Sequence, residues 1–236
     1  MEVPIPTVIG LIPCYNVERY CCNVIKQTLK CVSKLILIDD GSTDGTGKIL
    51  KNFAHQFPDQ VHLIVFPKNK GKGTALLHGI EYAVNNLEFQ TLVTLDSDGQ
   101  HNPSEIQKIT ACIDQGAQLV IGTRNFEKMP LRSRFANTLI SFLLKRLYPK
   151  APLDNQSGFR GISHSLAKKI AKNVTGSRYE MEFRCILLAL RDGDLIIQCP
   201  IETIYIDQNR SSHFSKIKDS YRILSVLFHH WRKKLI

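Results

Sequence analysis

The chain reads as an α/β protein with a mostly parallel central sheet and helices on both faces. Three features predict this. Short apolar runs alternate with stretches of helical periodicity, the pattern of strands joined through helical crossovers. Several of those runs break abruptly into turn residues, as strands do on leaving a sheet. Of the 236 residues, 43% are hydrophobic, enough for the core such a sheet needs.

Thr7 to Pro13, TVIGLIP, lies in the first strand, at about 5–13, and Cys14, Tyr15 and Asn16 follow it. A helix is expected at about 17–30, then a strand at about 34–39, where KLILIDD breaks into Gly41, Ser42, Thr43, Asp44 and Gly45. A helix at about 46–57 and a strand at about 61–66 come next. Asn69 to Thr74, NKGKGT, sets two glycines and two lysines ahead of a helix at about 73–86, where backbone N–H groups and positive charge favour phosphate; Lys72 is the candidate residue. The strand at about 90–96 ends in Asp96, Ser97, Asp98, Gly99 and Gln100. Pro103 and Ser104 then start a helix at about 104–115, Gly116 ends it, and a strand follows at about 118–123. No linker, charge block or low-complexity tract divides residues 1–236, which are expected to form one domain.

Chemistry concentrates at the strand exits. Two carboxylates one residue apart, Asp96 and Asp98, repel each other unless a cation sits there, and a divalent metal holding a diphosphate is the obvious one. A plain acidic turn is the alternative. Ligands of open parallel sheets bind outside the carboxyl ends of the strands, so these exits are expected to converge on a nucleotide site. Pro13, Tyr15, Asp39 and Asp40 are placed to hold a base and ribose, by stacking and by accepting from N–H or hydroxyl groups. Either aspartate serves equally well as a cap of the turn through Gly41 and Ser42.

The net charge of +10 implies an anionic partner. Nucleic acid is excluded for want of a binding motif or stacking aromatic series, leaving a phosphorylated substrate and an acidic membrane surface. Seven scattered cysteines suit a reducing compartment, and the spacing of Cys14, Cys21, Cys22 and Cys31 lacks the two-residue gap of a zinc site. With no secretory signal and no apolar run approaching about 18 residues, the chain is expected on the cytoplasmic side of a membrane.

The motifs IPCYN, IDDGSTDGT, NKGKGTALLHG, LDSDGQHNP, IGTRN, QSGFRG at Gln156 to Gly161 and RYEMEF at Arg178 to Phe183 resemble, in that order, family 2 glycosyltransferases of the GT-A fold. Dolichyl-phosphate mannose synthases and bacterial polyprenyl-phosphate hexosyltransferases are the nearest in pattern. The resemblance implies a nucleotide-sugar donor, a GDP- or UDP-hexose, held with Ser97 among the donor residues. It implies Mg2+ or Mn2+ on Asp96, Asp98 and Gln100, with Asp98 central to catalysis. It puts Arg124 near the donor or acceptor phosphate and Arg160 beneath the acceptor. Where such synthases commonly carry an acid after the Tyr-Asn pair, this chain has Val17, with Glu18 one step later.

Arg124, Arg132, Arg134, Arg160 and Arg210, with Lys216 beyond, lack matching acidic neighbours, as a phosphate-bearing acceptor requires. Two segments, at about 131–148 and 216–236, combine apolar residues with basic flanks and suit a headgroup layer. Each also suits a core face or a dimer. The expected activity is therefore a metal-dependent, inverting transfer of a hexose, mannose before glucose, to a polyprenyl or dolichyl phosphate at a membrane face, with a separate membrane-protein partner plausible. Two alternatives stand beside it. One is a family 2 enzyme acting on a sugar hydroxyl, with Glu180 or Glu182 as base. The other is a non-catalytic nucleotide-sugar-binding subunit.

Overall fold

The computed structural model describes residues 7–123, 131–202, 204, 222–228 and 230; within 131–147 it describes the side chains of 138 and 140–147. In chain order the elements are β1 (Val8–Cys14), α1 (Glu18–Thr28), β2 (Lys34–Asp39), α2 (Thr46–Gln56), β3 (Val61–Val65), α3 (Lys72–Asn86) and β4 (Thr91–Thr94). A 3-10 turn, Pro103–Glu105, runs into α4 (Ile106–Asp114) and β5 (Leu119–Thr123). Then come α5 (Leu131–Leu147), β6 (Arg160–Ser163), α6 (His164–Asn173), α7 (Glu180–Asp192) and β7 (Ile196–Pro200).

The strands form one sheet in the order β3-β2-β1-β4-β6-β5-β7. All neighbouring pairs are parallel except those made by β6, which runs antiparallel to both β4 and β5. Strand order reverses between β1 and β4, so the crevice beyond their carboxyl ends is the natural ligand position. The antiparallel β6 enters the sheet there and pairs Arg160 with Thr94, which sets the Gln156–Gly161 segment beside the acidic turn.

Alternation along β2 shows why the sheet is buried on both sides. Leu35 and Leu37 pack with Val24 and Ile25 of α1, Leu50 and Phe53 of α2 and Ile109 of α4. Ile36 and Ile38 face the other way, with Leu76 and Ile80 of α3, Leu166 of α6 and Ile186 of α7. Helix boundaries follow the expected punctuation. Asn102 accepts from Ser104 N at the 3-10 turn, and Gly116, at φ 98, follows the end of α4.

Both basic amphipathic segments contribute to this core. Ile140 and Leu144 of α5, and Ile223 and Leu227 among the helical residues 222–228, are buried, while Phe142 and Phe228 stand 59% and 56% exposed. Apart from these and residue 230, 216–236 lies outside the described residues. No helix among those described is long and apolar enough to cross a membrane.

Candidate active site

Three strand exits are tied together by hydrogen bonds. Asp40 N donates to Cys14 O at 2.9 Å, which joins β2 to β1, and Ser97 Oγ donates to Pro13 O at 2.9 Å, which joins the acidic turn to β1. Asn16, at φ 52, accepts from Thr43 N at 2.8 Å and so fastens the first exit to the second. Tyr15 is half-buried between them in sequence, beside this junction. Val17 is buried, and Glu18 accepts from Gly45 N at 3.1 Å, so the displaced acid serves the turn.

The paired aspartates differ in what they hold. Asp39 Oδ1 accepts from Ser42 N at 2.9 Å, the turn-capping alternative. Asp40 is 2% exposed and accepts from Lys70 N at 2.7 Å, Gly71 N at 2.9 Å and Asn69 Nδ2 at 3.0 Å. Burial lifts its carboxyl above the usual range while the amides of Lys70 and Gly71 pull it back. Both oxygens are committed, so Asp40 leaves the donor-binding set and becomes the anchor of the loop before α3.

That loop also departs from expectation. A Cβ on Gly71 would lie 2.3 Å from Ser177 O and one on Gly73 2.3 Å from Arg178 O. The glycines therefore seat the 177–178 backbone against the start of α3, where Thr74 N donates to Ser177 O. Lys72 turns inward, 2.7 Å from Asp96 Oδ1 and 3.1 Å from Glu182 Oε2. Burial works against its charge, but Asp96 and Glu182 outweigh burial and raise its pKa well above the ordinary lysine value. As placed, Lys72 joins the acidic turn to α7 and is not held ready for a phosphate.

Within the turn, Gln100 donates to Asp98 through its backbone N at 3.1 Å and through Nε2 at 2.9 Å. Burial and the neighbouring Asp96 carboxylate push the Asp98 carboxyl up to about 6. His101, buried and stacked on Phe159 with centroids 5.3 Å apart, accepts from Asp96 N at 3.4 Å. Gly158 crowds the other side: its Cβ would stand 2.4 Å from Asp96 Oδ2. A divalent cation fits this donor set. Two hard carboxylate oxygen donors, one of them unfavourably ionised without a counter-charge, suit Mg2+ or Mn2+. Among the described residues no group of three or more His, Cys, Asp or Glu side chains is placed to hold a metal ion. Gln100, with its nitrogen turned to Asp98, positions that carboxylate.

Arg160 is a correction. It is 2% exposed, and Nε, Nη1 and Nη2 donate to the carbonyls of Ser157, Glu182 and Asn155. A guanidinium spent on three backbone acceptors inside the sheet holds the 155–158 segment and α7; it does not face an acceptor phosphate. Arg160→Met should therefore lower stability by about 3 kcal/mol, by stranding buried carbonyls, as chemical denaturation would show. An unchanged midpoint would release Arg160 from this role. Arg124, Arg210 and Lys216 lie outside the described residues, as do the side chains of Arg132 and Arg134 on α5. Ile204 N donates to Gln100 O at 3.0 Å, so the chain passes the acidic turn shortly before Arg210 in sequence.

Gly158, His101 and the Lys72–Glu182 pair are the parts of the site that sequence reasoning missed. A small residue inside QSGFRG and a histidine directly after the acidic turn were the available signals for the first two.

The sequence model of glycosyl transferase family 2 matches residues 11–171. A Methanococcus voltae protein named UDP-N-acetylglucosamine--dolichyl-phosphate N-acetylglucosaminyltransferase is 32% identical over 84% of this chain and 85% of its own length. A polyprenol monophosphomannose synthase of Mycolicibacterium smegmatis is 28% identical over 84% of this chain and 77% of its own. Glucosyl-3-phosphoglycerate synthase from Mycobacterium tuberculosis, solved with Mn2+, UDP and phosphoglyceric acid, superposes with a TM-score of 0.70 over 95% of this chain and 78% of that one. At 20% identity, that likeness concerns the fold.

Proposed function

The chain belongs to glycosyl transferase family 2, with its GT-A fold, and from that membership we propose that it moves a hexose, with inversion, from a nucleotide sugar to the phosphate of a polyprenyl lipid. In this reading residues 1–236 act as one catalytic domain.

The observation that carries the acceptor is the state of the two carboxylates opening α7. Glu182 is ion-paired with Lys72 at 3.1 Å, and Glu180 accepts from the amides of Ser177 and Arg178 at 3.1 and 3.3 Å. A hydroxyl acceptor needs a base to remove its proton, whereas Glu182 is held by Lys72 and Glu180 is held to the 177–178 backbone through Oε1, with its Oε2 buried. A phosphate monoester, with a second pKa of about 6, is already mostly dianionic near neutrality and needs only to be positioned. The silent-subunit reading leaves unexplained why Lys72, Gln100 and His101 all hold the acidic turn in place.

Asp96 and Asp98 would hold Mg2+ or Mn2+, which when bound offsets the charge building on the departing nucleoside diphosphate. Lys72 fixes where Asp96 can stand, and Gln100 does the same for Asp98. Tyr15 and Asp39 remain the donor-side candidates at the neighbouring exits. Arg124, Arg132, Arg134, Arg210 and Lys216 supply the cations for two phosphates brought together. Exposed Phe142 and Phe228, near Lys145, Arg146 and Arg222 in sequence, support peripheral contact with an anionic membrane face.

The test offers radiolabelled GDP-mannose, UDP-glucose and UDP-N-acetylglucosamine, with Mn2+, to a polyprenyl phosphate and in parallel to the dephosphorylated polyprenol. Mannose is the donor that the motifs favour; N-acetylglucosamine is the one the archaeal relative's name carries. Label is expected on the phosphorylated lipid alone. Label on the polyprenol would transfer the reading to a hydroxyl acceptor, and no label from any donor would overturn it.

A further inference from the structure

The acidic turn already holds a cation of its own. Lys72 Nζ lies 2.7 Å from Asp96 Oδ1, 3.1 Å from Glu182 Oε2 and 3.2 Å from Glu182 Oε1. An ammonium has three N–H donors, and these contacts account for all of them. The Lys72 side chain is 18% exposed and that of Glu182 6%, so the charges meet where water screens them little. The Tyr179 ring, with its centroid 5.3 Å from Nζ, closes a further side.

None of these groups can withdraw easily. Lys72 is the first residue of α3, and Gly71 and Gly73 on either side of it are pressed against the backbone of Ser177 and Arg178. Glu182 stands in the first turn of α7, where its carbonyl accepts from Arg160 Nη1 at 2.5 Å. Asp96 is bonded through its N to His101 and lies against Gly158, where an added Cβ would meet the carboxylate at 2.4 Å. The ammonium is therefore a fixed part of the turn, and a second cation at Asp96 must share that carboxylate with it. Like charges on one carboxylate repel, and Lys72 weakens the negative potential that would draw a divalent ion. Glu182 acts in the opposite sense, because it offsets the lysine's charge and accepts two of its three hydrogen bonds.

We infer that Lys72 competes with the divalent cation for Asp96, and that Glu182, by drawing the ammonium toward α7, sets how strongly it competes. This competition presupposes the metal proposed for Asp96 and Asp98. It makes metal affinity a property of three elements, the acidic turn, the start of α3 and the start of α7.

Electron paramagnetic resonance of Mn2+ titrated into the full chain, with no donor or acceptor present, reads binding from the loss of the free-ion signal. Lys72→Met should bind Mn2+ about tenfold or more tightly than the parent, since Asp96 is released and Glu182 is left uncompensated beside it. Glu182→Gln should bind it about tenfold or more weakly, since the ammonium then falls to Asp96 alone. The opposite signs are decisive: a lysine and a glutamate that merely keep the turn in shape would, when removed, weaken Mn2+ in both variants. Lys72→Met strands the buried Glu182 carboxylate, so Lys72→Met combined with Glu182→Gln is measured as well and should bind about tenfold more tightly than Glu182→Gln alone. If Lys72→Met does not fold, that second comparison decides. Affinity in Lys72→Met no higher than in the parent, or in the double variant no higher than in Glu182→Gln, would overturn the inference. Mn2+ binding is read apart from transfer: a parent that binds Mn2+ and moves no sugar counts against the proposed reaction and leaves these affinities to decide the competition.

Discussion

Asp98→Asn should lower sugar transfer by about 10³-fold or more while leaving the fold intact. The substitution is nearly isosteric. It keeps an oxygen to accept from Gln100 N, now at 3.1 Å from Oδ1, removes the charge, and puts an NH2 where Oδ2 accepts from Gln100 Nε2 at 2.9 Å, which a flip of the Gln100 amide accommodates. That charge costs the metal-free protein something, since burial and Asp96 push the carboxyl up to about 6. Removing it should hold the thermal midpoint steady or raise it slightly, whereas a structural role would lower it. The loss of activity should come with loss of the Mn2+-induced rise in midpoint, because one of two carboxylate ligands is gone. Paired measurements of kcat/KM and of the melting temperature with and without Mn2+ decide the matter. Normal transfer in the variant would remove the metal clamp from the mechanism.

What the sequence made legible was the part of the molecule in which local pattern and tertiary role agree. Five strands and four helices between residues 7 and 123 fall within a few positions of where apolar runs and turn residues put them, because the strands inside the sheet are buried on both faces and turn residues mark their ends. β6 was not legible. Arg160–Ser163 carries an arginine and a glycine and makes no apolar run, and its place between β4 and β5 is fixed by pairing with strands far off in sequence. The same distance explains the reassigned residues. Asp40 looked free because its partners begin 29 residues on, at Asn69, and Lys72 looked free because Glu182 lies 110 residues away. A sequence displays the charge of a side chain and hides its counter-charge.

Gly158→Ala is expected to cost about 10²-fold in kcat/KM together with about 1–3 kcal/mol of stability, and the argument rests on one small volume. An added Cβ would lie 2.4 Å from Asp96 Oδ2, 2.7 Å from Oδ1 and 2.8 Å from Cγ, so the whole carboxylate must move. It cannot do so freely. Lys72 holds Oδ1 at 2.7 Å and is itself held by Glu182, while Asp96 N is bonded to His101. A shift of Asp96 therefore either breaks the ion pair or drags Lys72 from α7, and a displacement of about 1 Å at a metal-bearing carboxylate is enough to misplace a diphosphate. The backbone does not object, because Gly158 is not among the positive-φ glycines, and its carbonyl can go on accepting from Thr94 Oγ1 at 2.8 Å. Gly116→Ala is the natural control. It has open space around its Cβ but a φ of +98, so it should lose about 1 kcal/mol of stability and no activity. Transfer measured on both variants should therefore fall in Gly158→Ala and hold in Gly116→Ala. If Gly158→Ala keeps full activity, Asp96 has more freedom than Lys72 and His101 allow it, and the rigid acidic turn is wrong.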